Sequence, residues 1–378
     1  MAAHPLWHTF VKDTPTIDTR DAGFTMSASG LEAGAFESAY PEHGAAPFIR
    51  VAVVVIGRNE GERLRLCLNS VLGMNYPREL LDVIYVDSSS TDGSVAMAAA
   101  MGVRTVVLDR PTTAARGRNA GWTKTDAPIV LFLDGDTILA ADFVRRNLRH
   151  FNNPTIAGVC GNRREMRTGD SIYNAILDLD WNMKEGYIRY FGGDALVLRG
   201  ALAAVDGYNA ALIAGEEPDM CRRMRGLGYH ILHVEEAMTL HDVAMHRFGQ
   251  YWKRAVRTGY AYAQISSFYA QSKDPLWRAE SRGNIVRAAF WMGAPLIALG
   301  LSIGLRSWIP VAVMVVIALL LFGRTAAKTL KKTRSVGVLV AYALHSHLQQ
   351  VPLFIGQLRF WMGRARGRGS AIIEYKGA

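Results

Sequence analysis

Apolar and polar positions change rhythm several times along this chain. Val51-Ala52-Val53-Val54-Val55-Ile56 is a short, unbroken, mostly β-branched run. It predicts a strand buried on both faces, as in a parallel sheet. Glu62 to Leu72 carries Leu64, Leu68, Val71 and Leu72 on one side and predicts a helix. Asp82 to Val86 predicts a second strand ending at Asp87, and the loop Ser88 to Gly93 can cap the helix after it. Thr105 to Leu108 predicts a third strand, Ala115 to Thr123 the start of a helix, and Ile129 to Leu133 a fourth strand ending at Asp134. Strand and helix thus alternate with short connections for about 100 residues, the pattern of an α/β domain with a doubly wound, mostly parallel sheet. Ligands of such sheets gather at the carboxyl ends of the strands. Asn59, Asp87 and Asp134 each lie at or just beyond one of those ends. Any one of them alone is equally well a polar residue at a strand exit. Three, brought to one edge by three strands, point to a binding site.

Either side of this region the pattern differs. Residues 1–47 are rich in Ala, Gly, Thr and Pro with weak periodicity, and a loosely ordered extension is expected there. They hold no continuous apolar core, and Asp13, Asp18 and Asp21 come early, so no signal peptide is expected. The α/β domain is expected over 48–270 and a membrane domain over 271–378. Ala288 to Leu305 and Trp308 to Phe322 each approach the ~20 residues that cross a bilayer. Transmembrane helices are therefore expected at about 286–305 and 307–323, the alternative being a buried helical pair. Arg324, Lys328, Lys331, Lys332 and Arg334 follow the second run. Positive flanks stay inside, which leaves the link Arg306-Ser307 outside and the α/β domain cytoplasmic, at a plasma (inner) membrane crossed more than once. A third stretch, 336–358, contains His345, His347, Gln349, Gln350 and Gln357. A full span would put Arg359, Arg364, Arg366 and Arg368 outside, so a third membrane helix of interfacial or re-entrant type is favoured.

Charge adds one refinement. The 378 residues carry 43 Lys+Arg against 33 Asp+Glu, a net +10. Much of the excess lies after residue 320 beside apolar runs, which fits lipid headgroups as partners better than nucleic acid. No nucleic-acid-binding motif is recognisable and no nucleic-acid partner is expected. Cys67, Cys160 and Cys221 are far apart and odd in number, which fits small core residues in a reducing compartment rather than disulfides or a zinc site.

Asp134-Gly135-Asp136 follows the fourth strand. Two carboxylates at i and i+2 around a glycine can turn to one point, and such oxygen ligands suit Mg²⁺ or Mn²⁺ shared with substrate phosphates. At this position the sequence resembles the family 2 glycosyltransferases, enzymes of the GT-A fold that use nucleotide sugars. The resemblance runs from about Arg50 to about Tyr262. Val53 to Glu60 looks like the opening strand and loop, which brings Asn59 and Glu60 to the donor. Val86 to Ser94 looks like the D-x-S-x-D-x-T/S turn, in which the first acid, here Asp87, holds the base or ribose. Ser88 and Ser89 stand where the family usually has an acid and a glycine. Ala115 to Gly121 resembles A-R-N-x-G, with one extra residue, and implies Arg116, Arg118 and Asn119 beside the donor. Asp134 and Asp136 match the metal-binding DxD.

Gly192 to Arg199 and Val205 to Tyr208 look like the acceptor-side hairpin and its turn, which implicates Asp194. Gly215 to Arg223 resembles G-E-D-x-D-L-x-x-R, whose second acid is the usual base; here that is Glu217, with Glu216 as the rival and a solvated first helical turn as the structural alternative. His241 follows a strand-like stretch at a point where some relatives place a metal or diphosphate ligand; a capping or surface histidine is the alternative. Gln250 to Gly259 resembles Q-x-x-R-W only loosely, which favours transfer of one sugar per encounter. Arg254 and Arg257, three apart, share a helix face that can meet phosphate or lipid headgroups, a solvated basic face being the alternative.

One base and one metal-held leaving group imply a single in-line displacement with inversion. The expected protein is thus a divalent-metal-dependent inverting transferase, using a nucleotide-sugar donor and a lipid or polysaccharide acceptor at the membrane. Two alternatives stand beside it. A nucleotidyltransferase requires a Gly-rich basic loop that Gly57-Arg58-Asn59-Glu60 lacks. A non-catalytic nucleotide-binding scaffold has no need of Asp87, Asp134, Asp136 and Glu217 together.

Overall fold

The structure, a computed structural model, describes residues 48–181 and 183–367. The extension expected over 1–47 and Arg368 of the basic tail lie outside the described residues.

The strands are β1 (Val51–Gly57), β2 (Leu81–Asp87), β3 (Arg104–Val107), β4 (Ile129–Asp134), β5 (Thr137–Leu139), β6 (Ile156–Glu165), β7 (Gly186–Ile188), β8 (Ala195–Leu198) and β9 (His230–His241). They join one sheet in the order β3-β2-β1-β4-β8-β6-β9-β5, with β7 on β9. β1 to β4 pair in parallel, β8 runs antiparallel between β4 and β6, and β6 and β9 are parallel again. The helices are α1 (Glu62–Leu72), α2 (Ser94–Ala100), α3 (Ala114–Trp122), α4 (Phe143–Asn147), α5 (Ile172–Asp180), α6 (Arg199–Ala204), α7 (Glu216–Gly226) and α8 (Phe248–Phe268), then α9 (Arg278–Gly304), α10 (Ile309–Thr329), α11 (Val336–Leu348) and α12 (Gln350–Ala365).

The reason for the unbroken apolar runs is visible in the packing. Val51 to Val55 and Ile129 to Leu133 are all 0% exposed, because helices cover both faces of the central strands. Helix α3 lies so close over the sheet that a Cβ at Gly121 would come 2.3 Å from Val54 Cγ1. The three cysteines are buried and unpaired. One expectation changes: Gly192 to Arg199 is not a hairpin. It forms a loop and central strand β8, which runs straight into α6, because the apolar run Ala195 to Val197 is buried between β4 and β6.

The C-terminal helices are of two kinds. α9 and α10 are long and apolar enough to cross a membrane, and Leu296, Ile303, Leu319 and Leu320 stand well exposed on them. Such a continuous apolar surface calls for a non-aqueous neighbour. The third stretch also qualifies by length and composition, yet half of its apolar window is buried within the protein. It is two helices meeting at Gln349. α12 crosses α8 glycine to glycine: a Cβ at Gly259 would fall 1.8 Å from Leu353 O, and one at Gly356 2.0 Å from Val256 O. α11 is tied to α5, where the Tyr342 hydroxyl donates to Asp180 Oδ1 at 2.7 Å.

Candidate active site

Asp134, at the carboxyl end of β4, is the hub. From α3, Arg118 reaches its Oδ1 at 2.9 Å and, on the other side, Glu216 at 2.9 Å and Glu217 at 2.8 Å from α7. Arg118 is 2% exposed. A guanidinium buried to that degree is tolerated only among opposite charges, and three carboxylates supply them. Burial works against its charge, but Glu217, Asp134 and Glu216 hold its pKa well above the usual value. For Asp134 burial acts to raise the pKa and is outweighed by Arg118 and Arg163, which hold it below the usual carboxylate range. Burial and the neighbouring Glu216 push Glu217 up to about 7, against the pull of Arg118. Two acids on the same cleft wall are therefore driven in opposite directions.

Asp136 and His241 meet because β5 pairs with β9, with Thr137 opposite His241. His241 Nε2 is 3.2 Å from Asp136 Oδ2, Nδ1 faces Glu165 Oε2 at 3.8 Å, and Trp181 stands edge-on to the ring. One ligand atom each from Asp134, Asp136 and His241 lie within 4.8 Å of one another. Two carboxylates and an imidazole are a donor set suited to Mn²⁺, or to Mg²⁺ through the oxygens.

Asp134 borders two cavities. One, of about 550 Å³, runs between the β1 and β2 loops, the start of α3 and the Ile213–Glu217 segment. The other, of about 180 Å³, lies against β6, β9 and the Gly192–Asp194 loop. The first collects Asn59, Glu60, Arg118, both DxD acids, both glutamates and Arg257. Asn59 ties its loop to the one after β2 by accepting from Thr91 N–H at 2.7 Å. Arg257 donates to the Ile213 carbonyl, bracing the loop ahead of Glu216. The second cavity collects Asp194, His241 and Arg254. Arg254 and Arg257 thus serve different cavities although they share a helix. Burial pushes Asp194 up, against the pull of Arg163. Its Oδ2 accepts from the Thr239 hydroxyl at 2.7 Å.

Three expected donor contacts do not line either cavity. Asp87 is fully buried and accepts from the Tyr85 hydroxyl and Ser90 N–H, both at 2.7 Å; Val86 and Ser88 face the cavity instead. Asn119 is occupied by Tyr208, donating to its carbonyl at 2.7 Å and accepting from its N–H at 2.9 Å. Arg116 points to solvent in the first turn of α3. Arg163 and Trp181 went unnoticed in the sequence. Arg163 stands 3.6 Å from both Asp134 and Asp194 and 5.1 Å from the Trp181 ring. No motif marks them; Arg163 comes in on β6 through its pairing with β9, and Trp181 at the end of α5.

Residues 52–206 match the family model for glycosyl transferase family 2. Glycosyltransferase AglE of Haloferax volcanii is 24% identical over 231 residues, 58% of this chain and 74% of that one. The pre-mycofactocin glycosyltransferase of Mycobacterium tuberculosis is 26% identical over 219 residues, 54% of this chain and 45% of that one. The match thus spans about three quarters of the first relative's length and about half of the second's. Among solved structures, the mannosyltransferase PcManGT from Pyrobaculum calidifontis, determined with GDP-Man and Mn²⁺, superimposes with a TM-score of 0.60 at 18% identity. The overlap covers 83% of this chain and 87% of that one, which shows a shared fold. With its motifs in family order on a GT-A sheet, residues 52–206 form a glycosyltransferase domain of family 2.

Proposed function

We propose that the enzyme transfers a single sugar, with inversion, from a nucleoside-diphosphate sugar to a membrane-proximal acceptor, a lipid-linked or polysaccharide hydroxyl. The larger cavity takes the donor and, at its Glu217 end, the acceptor hydroxyl; the smaller cavity, which also borders Asp134, takes the rest of the acceptor. Glu217 is the base. Its support is the single observation that carries this reading: a carboxylate pushed up to about 7 lines the same cavity as the two DxD acids. A base of that pKa is half ready at neutral pH and still strong enough to take a hydroxyl proton. Glu216, more buried and equally held by Arg118, is the positioning partner.

In the step itself the acceptor oxygen bonds to the anomeric carbon as the carbon–phosphate-oxygen bond breaks. The hydroxyl proton goes to Glu217, and the electron pair leaves with the nucleoside diphosphate. Asp134, Asp136 and His241 would hold a divalent cation, Mn²⁺ or Mg²⁺, whose chemistry is to neutralise charge on the leaving diphosphate. PcManGT, solved with GDP-Man and Mn²⁺, supports that assignment by analogy. Arg163 and Arg254 supply positive charge on the acceptor side. α9 and α10 span the plasma membrane, α12 lies along the catalytic domain at the cytoplasmic interface, and the basic segment after α10 keeps the site cytoplasmic.

The test is a thermal-shift titration of detergent-purified protein with UDP and GDP, each with and without Mn²⁺. Ligand that binds only the folded state raises the midpoint. A shift requiring one nucleotide together with the metal is expected in the native protein and is lost in Asp136→Asn. Equal shifts in both proteins would remove the metal from the reading.

A further inference from the structure

Helix α7 carries both glutamates at its N-terminus, and one stretch of chain grips it along its length. That stretch is residues 269–277, which leads from α8 into α9, the first of the exposed apolar helices. The Tyr269 hydroxyl donates to Asp219 Oδ1 at 2.6 Å, and the Arg222 guanidinium lies 3.9 Å from the Tyr269 ring centre. Arg222 also donates to the Ser272 hydroxyl at 2.5 Å and the Asp274 carbonyl at 2.8 Å. The Asp274 carboxylate faces Arg225 at 3.6 Å and, across from α7, Arg189 at 3.2 Å.

The grip ends at Trp277, directly under the glutamates. A Cβ added at Gly215, the residue before Glu216, would lie 2.6 Å from the Trp277 ring and 2.5 Å from Ile265. Gly215 stands at φ 82, where glycine is at ease and a side chain is not. Trp277 is itself at φ 59, rare for a bulky residue, and such a conformation persists only where its surroundings over-determine it. Those surroundings reach the other cavity. The Trp277 indole N–H donates to the Tyr190 hydroxyl at 3.1 Å, with Tyr262 edge-on at 5.0 Å. Tyr190 opens the segment that continues through Gly192 and Gly193 to Asp194 on the acceptor side. One indole, 7% exposed, thus packs at once against the loop before Glu217 and the loop before Asp194.

We infer that Trp277 is a positioning residue: the residue that leads into α9 sets, through Gly215 and Tyr190, where the Glu217 carboxylate and the acceptor-side loop stand relative to Asp134. The inference rests on the reading of Glu217 as base. Packed elements move as bodies rather than bend. A displacement of α9 against the catalytic domain therefore carries the N-terminus of α7 with it, and the seating of the apolar helices governs the reaction without touching substrate.

The experiment uses full-length protein in detergent, with Trp277→Ala and Trp277→Phe, the latter keeping an aromatic ring of smaller size and losing the N–H. Amide hydrogen exchange is followed in three peptides: 212–222, 189–195 and, as a control on the donor side, 86–94. Hydrolysis of UDP-glucose and GDP-mannose, with water as acceptor, is followed in parallel. In Trp277→Ala, exchange rises in the first two peptides and not in the control. For whichever donor is turned over, kcat falls roughly tenfold at unchanged donor KM, the signature of a lost transition-state arrangement. Trp277→Phe recovers most of both. A rise spread evenly over all three peptides, or no rise, overturns the positioning role, as does a loss of kcat matched by the loss of folded protein. A localised rise in a protein whose native form hydrolyses neither donor leaves the coupling standing and counts against the proposed function alone.

Discussion

Replacing Arg118 by Met keeps an unbranched side chain of similar reach and removes the charge that three carboxylates share. Breaking a buried ion pair by removing one partner costs about 3–5 kcal/mol when the orphaned charge stays buried. Here a second route exists, cheaper at low pH, because the two glutamates can take up a proton. Glu217 already stands at about 7 with the arginine present, so the pair must bind one further proton once it is gone. Protonating an ordinary glutamate at pH 7 costs about 3.7 kcal/mol, from about 1.36 kcal/mol for each pH unit above about 4.3. At pH 5 the same reckoning leaves about 1 kcal/mol. The sign follows from linkage. An acid whose folded pKa is raised binds more protons folded than unfolded, so stability falls as pH rises from the unfolded value to the folded one. The defect of Arg118→Met is therefore small at pH 5 and large at pH 7. For a domain of this size that corresponds to a midpoint lower by on the order of 10 °C at pH 7 and about 3 °C at pH 5. Melting wild type and variant side by side at the two pH values checks it. A pH-independent drop, or none, refutes the view that Arg118 acts by neutralising the glutamates.

Three further outcomes are expected. Glu217→Gln lowers sugar transfer by about 10²–10⁴ without lowering the melting midpoint, and the wild-type rate climbs through pH 7 as the carboxylate deprotonates; a wild-type profile flat from pH 5 to 8 contradicts its role as base. Asp136→Asn weakens Mn²⁺ at least tenfold in a metal titration of the thermal shift, a loss of about 1.4 kcal/mol or more. Gly259→Ala forces α12 off α8 and destabilises by about 1–3 kcal/mol or more, whereas Gly300→Ala, with open space around it, is neutral; limited proteolysis of the C-terminal helices separates the two.

Much of this architecture was legible because the physics that sets it is local. A strand covered on both faces has to be apolar without interruption, so β1, β2 and β4 announce themselves as strands and as central ones. Their carboxyl ends follow at once, and with them Asn59 and the DxD acids at the cavity. Helix α1 was readable to the residue from the spacing of Leu64, Leu68 and Val71. His241 is a weaker case. Its strand-like context was visible, but its position 3.2 Å from Asp136 depends on the β5–β9 register, which no short window contains.

What stayed hidden was the choice of partner. Arg118 and Glu216 are 98 residues apart, and nothing near either one says that they share a hydrogen bond. Asp87 and Asn119 show the converse. Each sits in a motif whose resemblance points to the donor, yet Asp87 is consumed by Tyr85 and Ser90, and Asn119 by Tyr208, so both act on the cavity by holding its walls. Loss of activity on replacing Asn119 would therefore not identify a donor contact. Asn119 ties α3, which carries Arg118, to the turn at Tyr208, and Arg118 in turn holds Asp134 and the two glutamates. A substitution there disturbs the proposed base and Asp134 together, through three side chains and no substrate. A donor contact would raise donor KM alone; the geometry predicts that Asn119 lowers kcat and stability in step.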